Sequence, residues 1–221
     1  MLVILCGAYM KRILVVDDDP GIVELVSRGL KRSDYEAKTA DGGKACLEMY
    51  DEFKPDLILL DIMMPDLNGW EVLGKLADEH DIHDSIIVML TAKPLDEEDV
   101  KRDSFEFVSH YLMKPFGMED LIMEIEMVFE EEEKIRDHGM RIMRSFGREI
   151  GYSYLEYLKL ASRRQRIITG MMGEDIPGSL QECPAPQGMD DVVHSIENIT
   201  QSLHDIESEL QSIRSRISTF K

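Results

Sequence analysis

The sequence predicts an α/β protein: a five-stranded parallel sheet with helices on both faces, followed by an α-helical, coiled-coil C-terminal extension. Three observations carry this. Short apolar runs alternate with segments of helical spacing up to about residue 130. Polar residues gather where those runs end. From Met189 onward apolar residues recur at alternating intervals of three and four.

The strands come first. RILVVD (12–17) is apolar, rich in β-branched residues, and closed by carboxylates and Pro20, as a buried strand should be. Ile22, Leu25, Val26 and Leu30 then follow at helical spacing. YEAKTA (35–40) is a weaker strand suited to a sheet edge, and Ala45, Leu47 and Met49 lie in the second helix. DLILLD (56–61) is a second central strand, PDLNG (65–69) a turn, and Val72, Leu73 and Leu76 mark a helix. IIVMLT (86–91) is a third central strand, DEEDVKRDSFEFV a helix, and HYLMK (110–114) the final strand. Leu121, Ile122, Ile125, Val128 and Phe129 mark the last helix of this region. Strands each followed by a helix imply parallel pairing with right-handed crossovers. Ligands of such sheets bind outside the carboxyl ends of the strands. The residues at those ends are Asp17, Asp18 and Asp19, then Asp61, Thr91 and Lys114.

At 221 residues, 43% hydrophobic and 31% charged, the chain has room for one globular domain and an appendage. Its net charge of -19 argues against non-specific binding of the whole molecule to nucleic acid or anionic lipid. That charge is segmented: residues 10–133 carry -19, 134–170 carry +6 and 171–221 carry -6. Cys6, Cys46 and Cys183 have no metal-ligand spacing and fit a reducing, cytoplasmic setting. No apolar run reaches the ~18 residues of a membrane span. Residues 1–9 read as an extension ahead of MKRILVVDDDP rather than as a signal peptide.

ILVVDDDP, PDLILLDIMMPDLNGWEVL, VMLTA and HYLMKPF, in that order over roughly residues 10–130, resemble the signatures of the response-regulator receiver domain of two-component signalling. The resemblance implies a flavodoxin-like sheet of order 2-1-3-4-5. It implies that Asp61 accepts a phosphoryl group from a histidine kinase, and that Asp17 and Asp18 hold Mg²⁺ with Asp61 and the main-chain carbonyl of Met63. Thr91 and Lys114 correspond to the hydroxyl and the ammonium that bind the phosphoryl group, and Tyr111 to the aromatic switch. Asp19 is expected to be peripheral. Lys93 and Met63 border the site, and Gly117 stands where receivers often place an acidic helix cap. The chemistry agrees independently, since Mg²⁺ prefers hard oxygen ligands and carboxylates from two strand ends supply them.

The remainder divides into a basic helical connector (134–170), a Pro/Gly linker (171–188) and a coiled coil (189–221). Residues 150–167 resemble HalX, a helical extension of some archaeal regulators. Met189, Val192, Ile196, Ile199, Leu203, Ile206, Leu210, Ile213, Ile217 and Phe220 form an unbroken heptad seam, which predicts a homo-oligomer through 189–220. Folding back onto 134–168 is the alternative. Arg141, Arg144, Arg148, Arg163, Arg164 and Arg166 invite a DNA-binding reading, which the lack of a helix-turn-helix pattern disfavours. The expected function is therefore a response regulator signalling through protein contacts of its tail. A transcription regulator using 134–170, or a phosphorelay intermediate, are the rivals. The chain is expected not to be an enzyme beyond its own Mg²⁺-dependent phosphorylation and dephosphorylation.

Overall fold

A computed structural model describes residues 10–80, 82, 85–92, 99, 102–172, 200, 201 and 204. Its elements are β1 (Arg12–Val16), α1 (Pro20–Arg32), β2 (Glu36–Ala40), α2 (Gly43–Phe53), β3 (Leu57–Asp61), α3 (Gly69–Glu79) and β4 (Ile86–Thr91). A short 3-10 helix (Asp103–Phe107), β5 (Val108–Met113), α4 (Met118–Phe146) and α5 (Arg148–Met172) follow. The five strands form one sheet of order β2-β1-β3-β4-β5, as expected. The pairings of β1 with β2, β1 with β3 and β3 with β4 are all parallel.

The chain divides into two compact units, residues 1–93 with 112–122, and residues 94–111 with 123–221. In the first unit, β1 and β3 are central, and Ile13 to Val16 and Leu57 to Leu60 are fully buried. A strand covered on both faces cannot alternate polar and apolar residues, which is why these runs read as continuously hydrophobic. β2 lies at an edge and keeps charged residues there: Glu36 is exposed and Lys38 half-buried. Register places Val16 beside Leu60 and Ala40, so the ends of β1, β2 and β3 are level. Helix α3 starts with a capping box, Asn68 accepting from the Glu71 N–H while Glu71 accepts from the Asn68 N–H.

In the second unit, α4 continues to Phe146, well beyond the apolar residues that marked it in the sequence. It passes without interruption from the acidic run at Glu130 to Glu133 into the basic stretch. Gly147, with φ +96, ends it; this left-handed conformation suits glycine. Helix α5 then returns, and Ile135, Ile142, Tyr154, Leu158 and Ala161 form the core of the helical pair. At the turn the helices meet closely: a Cβ on Gly151 would lie 2.6 Å from the main-chain nitrogen of Met143. The segment resembling HalX lies within α5.

Two expectations differ from the structure. A helix was expected across DEEDVKRDSFEFV; its final part is a 3-10 helix, and β5 starts at Val108, two residues before the expected strand. Short i→i+3 turns often act as connectors and leave no helical period long enough to read. The extension 1–9, Lys93 and nearly all of the linker and coiled coil lie outside the described residues.

Candidate functional site

The acidic run after β1 divides into three different environments. Asp17 is 1% exposed; its Oδ1 accepts a hydrogen bond from the Asp19 N–H at 2.9 Å, and its Oδ2 lies 2.6 Å from Lys114 Nζ. Asp18 is exposed. Asp19 is the N-cap of α1, its side chain accepting from the Gly21 N–H at 2.8 Å, with Pro20 supplying the first helical turn. The three adjacent carboxylates thus meet different surroundings: Lys114, solvent and the start of α1.

Asp61 ends β3 and is 4% exposed, with Oδ1 3.0 Å from Lys114 Nζ. Lys114 follows β5, and its main-chain N–H donates to the Thr91 carbonyl at 2.6 Å. Thr91 ends β4 and is fully buried. The peptide between Lys114 and Pro115 is cis. Met63 points its side chain to solvent at 63% exposure. Tyr111 lies on β5, three residues before Lys114, and is half-buried.

Burial pushes the Asp61 pKa up, and the Asp17 charge adds to this. Lys114 and the Met63 N–H act in the opposite direction without cancelling the rise. Burial also works against the Lys114 ammonium, but pairing with Asp17 and Asp61 outweighs it, and its pKa is raised. Among the described residues the site thus holds one ammonium, that of Lys114, for three carboxylates. Carboxylate oxygens of Asp17, Asp18 and Asp61 come within 4.8 Å of one another. Hard oxygen donors this close, with negative charge in excess, fit a divalent cation such as Mg²⁺. Beside Asp17 and Asp18 a cleft of about 420 Å³ opens between α1 and the end of β2.

Residues 13–126 match the response regulator receiver domain. The chain belongs to this family. It is 39% identical over 124 residues to the alkaline phosphatase synthesis transcriptional regulatory protein PhoP of Bacillus subtilis, covering 56% of this chain and 50% of that protein. It is 36% identical over 115 residues to the DNA-binding response regulator MtrA of Mycolicibacterium smegmatis, covering 52% of this chain and 49% of that protein. The chain spans about half the length of these curated relatives. Chemotaxis protein CheY4 of Vibrio cholerae has a similar structure, with a TM-score of 0.51 at 28% identity, covering 54% of this chain and 99% of that one. The receiver is a signalling domain of two-component systems rather than a classical enzyme.

The structure gathers Asp17, Asp18, Asp61 and Lys114, with Thr91 held at the next strand end. The sequence reading placed all five at this edge. It did not find the capping role of Asp19, although Asp before Pro at a helix start is a readable signal. It also passed over Asp66, whose partners lie more than twenty residues away. Among the described residues, no helix is long and apolar enough to cross a membrane.

Proposed function

We propose that this receiver takes a phosphoryl group from a histidine kinase onto Asp61, and signals through protein contacts of its helical tail. The observation that carries this is Asp61 itself, a buried carboxylate held 3.0 Å from the Lys114 ammonium at the strand ends. An Asp61 oxygen attacks phosphorus. A P–O bond forms as the bond from phosphorus to the donor histidine nitrogen breaks, leaving an acyl phosphate. The departing imidazole takes up a proton. Lys114 offsets the negative charge of the bound group, the Thr91 hydroxyl donates to one of its oxygens, and Tyr111 responds as the switch. Asp17, Asp18, Asp61 and the main-chain carbonyl of Met63 would hold Mg²⁺, which supplies charge neutralisation at the carboxylates and the transferring group. The same residues serve the dephosphorylation of Asp61.

In this reading the protein is cytoplasmic. Residues 10–133 are the receiver, 134–170 a helical connector, 171–188 a linker and 189–221 a coiled coil that makes a homo-oligomer. Incubation with acetyl phosphate and Mg²⁺, followed by intact-mass measurement, tests the assignment. The wild type should gain one phosphoryl group and Asp61→Asn should not. Labelling of the variant at the wild-type rate, or full labelling in excess EDTA, would overturn it.

A second reading is DNA-dependent transcription control. MtrA is DNA-binding by name and PhoP is a transcriptional regulator. The expectation that DNA is not a partner thus draws no support from the relatives. Arg141, Arg144 and Arg148 are exposed near the turn between α4 and α5, where phosphates could reach them. Arg163 is buried, however, and Arg166 is bound to Ser109 and Glu131. A gel shift with genomic DNA at defined salt, using Arg141→Ala/Arg144→Ala/Arg148→Ala as the comparison, distinguishes the readings.

A further inference from the structure

We propose that Asp66 is a positioning residue for the cation site, fixing the segment that carries the Met63 carbonyl by tying it to the start of α2. The inference rests on the cation reading above.

Helix α2 begins poorly equipped. Its N-cap is Gly42, which offers no side-chain cap, and no acidic residue lies in its first turn. The missing acceptor comes from the loop between β3 and α3. Asp66 Oδ1 accepts from the Gly43 N–H at 3.1 Å, and Oδ2 accepts from the Lys44 N–H at 3.0 Å. Both oxygens are used, and the carboxylate faces the positive end of a helix. Hydrogen bonds from the Lys44 and Leu67 N–H groups, with that of Gly43, hold its pKa down at about 2, so it is charged at any working pH.

The loop is also closed at its base. Gly69 N–H donates to the Ile62 carbonyl at 3.0 Å. A Cβ on Gly69 would lie 2.4 Å from the Asp61 carbonyl oxygen, so the two backbones are in direct contact. Between base and crown sits Met63. Its side chain is 63% exposed and gives little packing to anchor its own backbone. The Met63 N–H donates to Asp61 and Met64 beside it is buried, and the two ties hold the rest of the loop that carries its carbonyl. The base tie is main chain. Asp66 is the side chain that sets the crown.

Metal affinity depends on groups that orient the direct ligands, and their loss typically weakens binding tenfold or more. The test is Mg²⁺ titration by calorimetry of the full chain, with parallel thermal melts and amide exchange of metal-free protein. Asp66→Ala should bind Mg²⁺ roughly tenfold more weakly. Its metal-free amides at Gly43, Lys44 and across 62–68 should exchange faster. Asp66→Asn, which keeps an acceptor oxygen without the charge, should fall between. Tyr50→Phe, also in α2, removes the hydroxyl that meets Ser85 Oγ, just before β4, at 3.1 Å. It should lower the melting temperature while leaving Mg²⁺ affinity unchanged. Wild-type Mg²⁺ affinity in Asp66→Ala would overturn the proposal, whatever its melting temperature. A wild-type protein with no saturable Mg²⁺ binding would sink the cation reading, and this proposal with it.

Discussion

The ammonium of Lys114 lies 2.6 Å from Asp17 Oδ2, closer than its 3.0 Å approach to Asp61. One cation from the end of β5 thus holds two buried carboxylates from the ends of β1 and β3. Lys114→Ala would take this ammonium from both. Removing one partner of a buried pair costs about 3 kcal/mol or more. Mg²⁺ can supply part of the lost positive charge. The variant should melt well below the wild type in EDTA, and Mg²⁺ should raise its melting temperature by more than it raises that of the wild type. Differential scanning fluorimetry with and without Mg²⁺ measures both.

Asp61 gives a pH prediction. Its pKa is raised in the folded protein, first by burial and then by Asp17. A carboxyl whose folded pKa lies above its unfolded value favours folding below the unfolded pKa. That contribution is lost as pH rises through the folded pKa. At neutral pH the charged form is therefore a burden, and Asp61→Asn should stabilise the metal-free protein. The gain should shrink as pH falls toward the ordinary carboxyl value of 3.8. Urea melts of both proteins from about pH 3.5 to about pH 7.5 test the sign. A gain that grows on acidification contradicts it.

Arg166 anchors α5 within the second unit. Its Nε donates to the Ser109 carbonyl at 3.1 Å, and its guanidinium pairs with Glu131, which also accepts from Ser162. Hydrogen bonds to charged groups contribute about 1.5–3 kcal/mol. Arg166→Ala should lose stability of that order, with faster amide exchange in 148–172 before the sheet opens. Arg164→Ala, at a half-buried neighbouring position, is the comparison.

The C-terminal heptads give the last prediction. With Met189 at a, Glu209 falls at g and faces Arg214 at e of a parallel partner. Such an exposed pair contributes at most about 1 kcal/mol, so it sets register more than strength. A 189–221 peptide should gain helicity with concentration and sediment as an oligomer. Leu203→Asp/Leu210→Asp should stay monomeric. A wild-type peptide that remains monomeric at high micromolar concentration favours folding back onto 134–168.

The sheet and most of the site were legible in the sequence for one reason. Continuously apolar strands such as Leu57 to Leu60 show that both faces are covered. A covered parallel sheet can expose chemistry only at its ends, and Asp17, Asp61, Thr91 and Lys114 are the residues there. Elements without a period were not legible. The 3-10 helix at Asp103–Phe107 is too short to show one. The tie from Asp66 to Gly43 and Lys44 spans 23 and 22 residues, and no local pattern encodes a cap supplied from another loop. The extent of α4 escaped for a different reason. The change from acidic to basic charge after Glu133 looks like a boundary, but backbone hydrogen bonding is indifferent to the sign of exposed side chains.

The edge strand β2 guards one way in which copies of this protein could meet. Its Lys38 reaches Glu52 at 3.6 Å and covers the Phe53 ring at 4.9 Å, while Glu36 faces solvent. A foreign strand adding alongside β2 would have to desolvate those charges, a common guard against edge-to-edge aggregation. Sheet extension on that side is thereby discouraged.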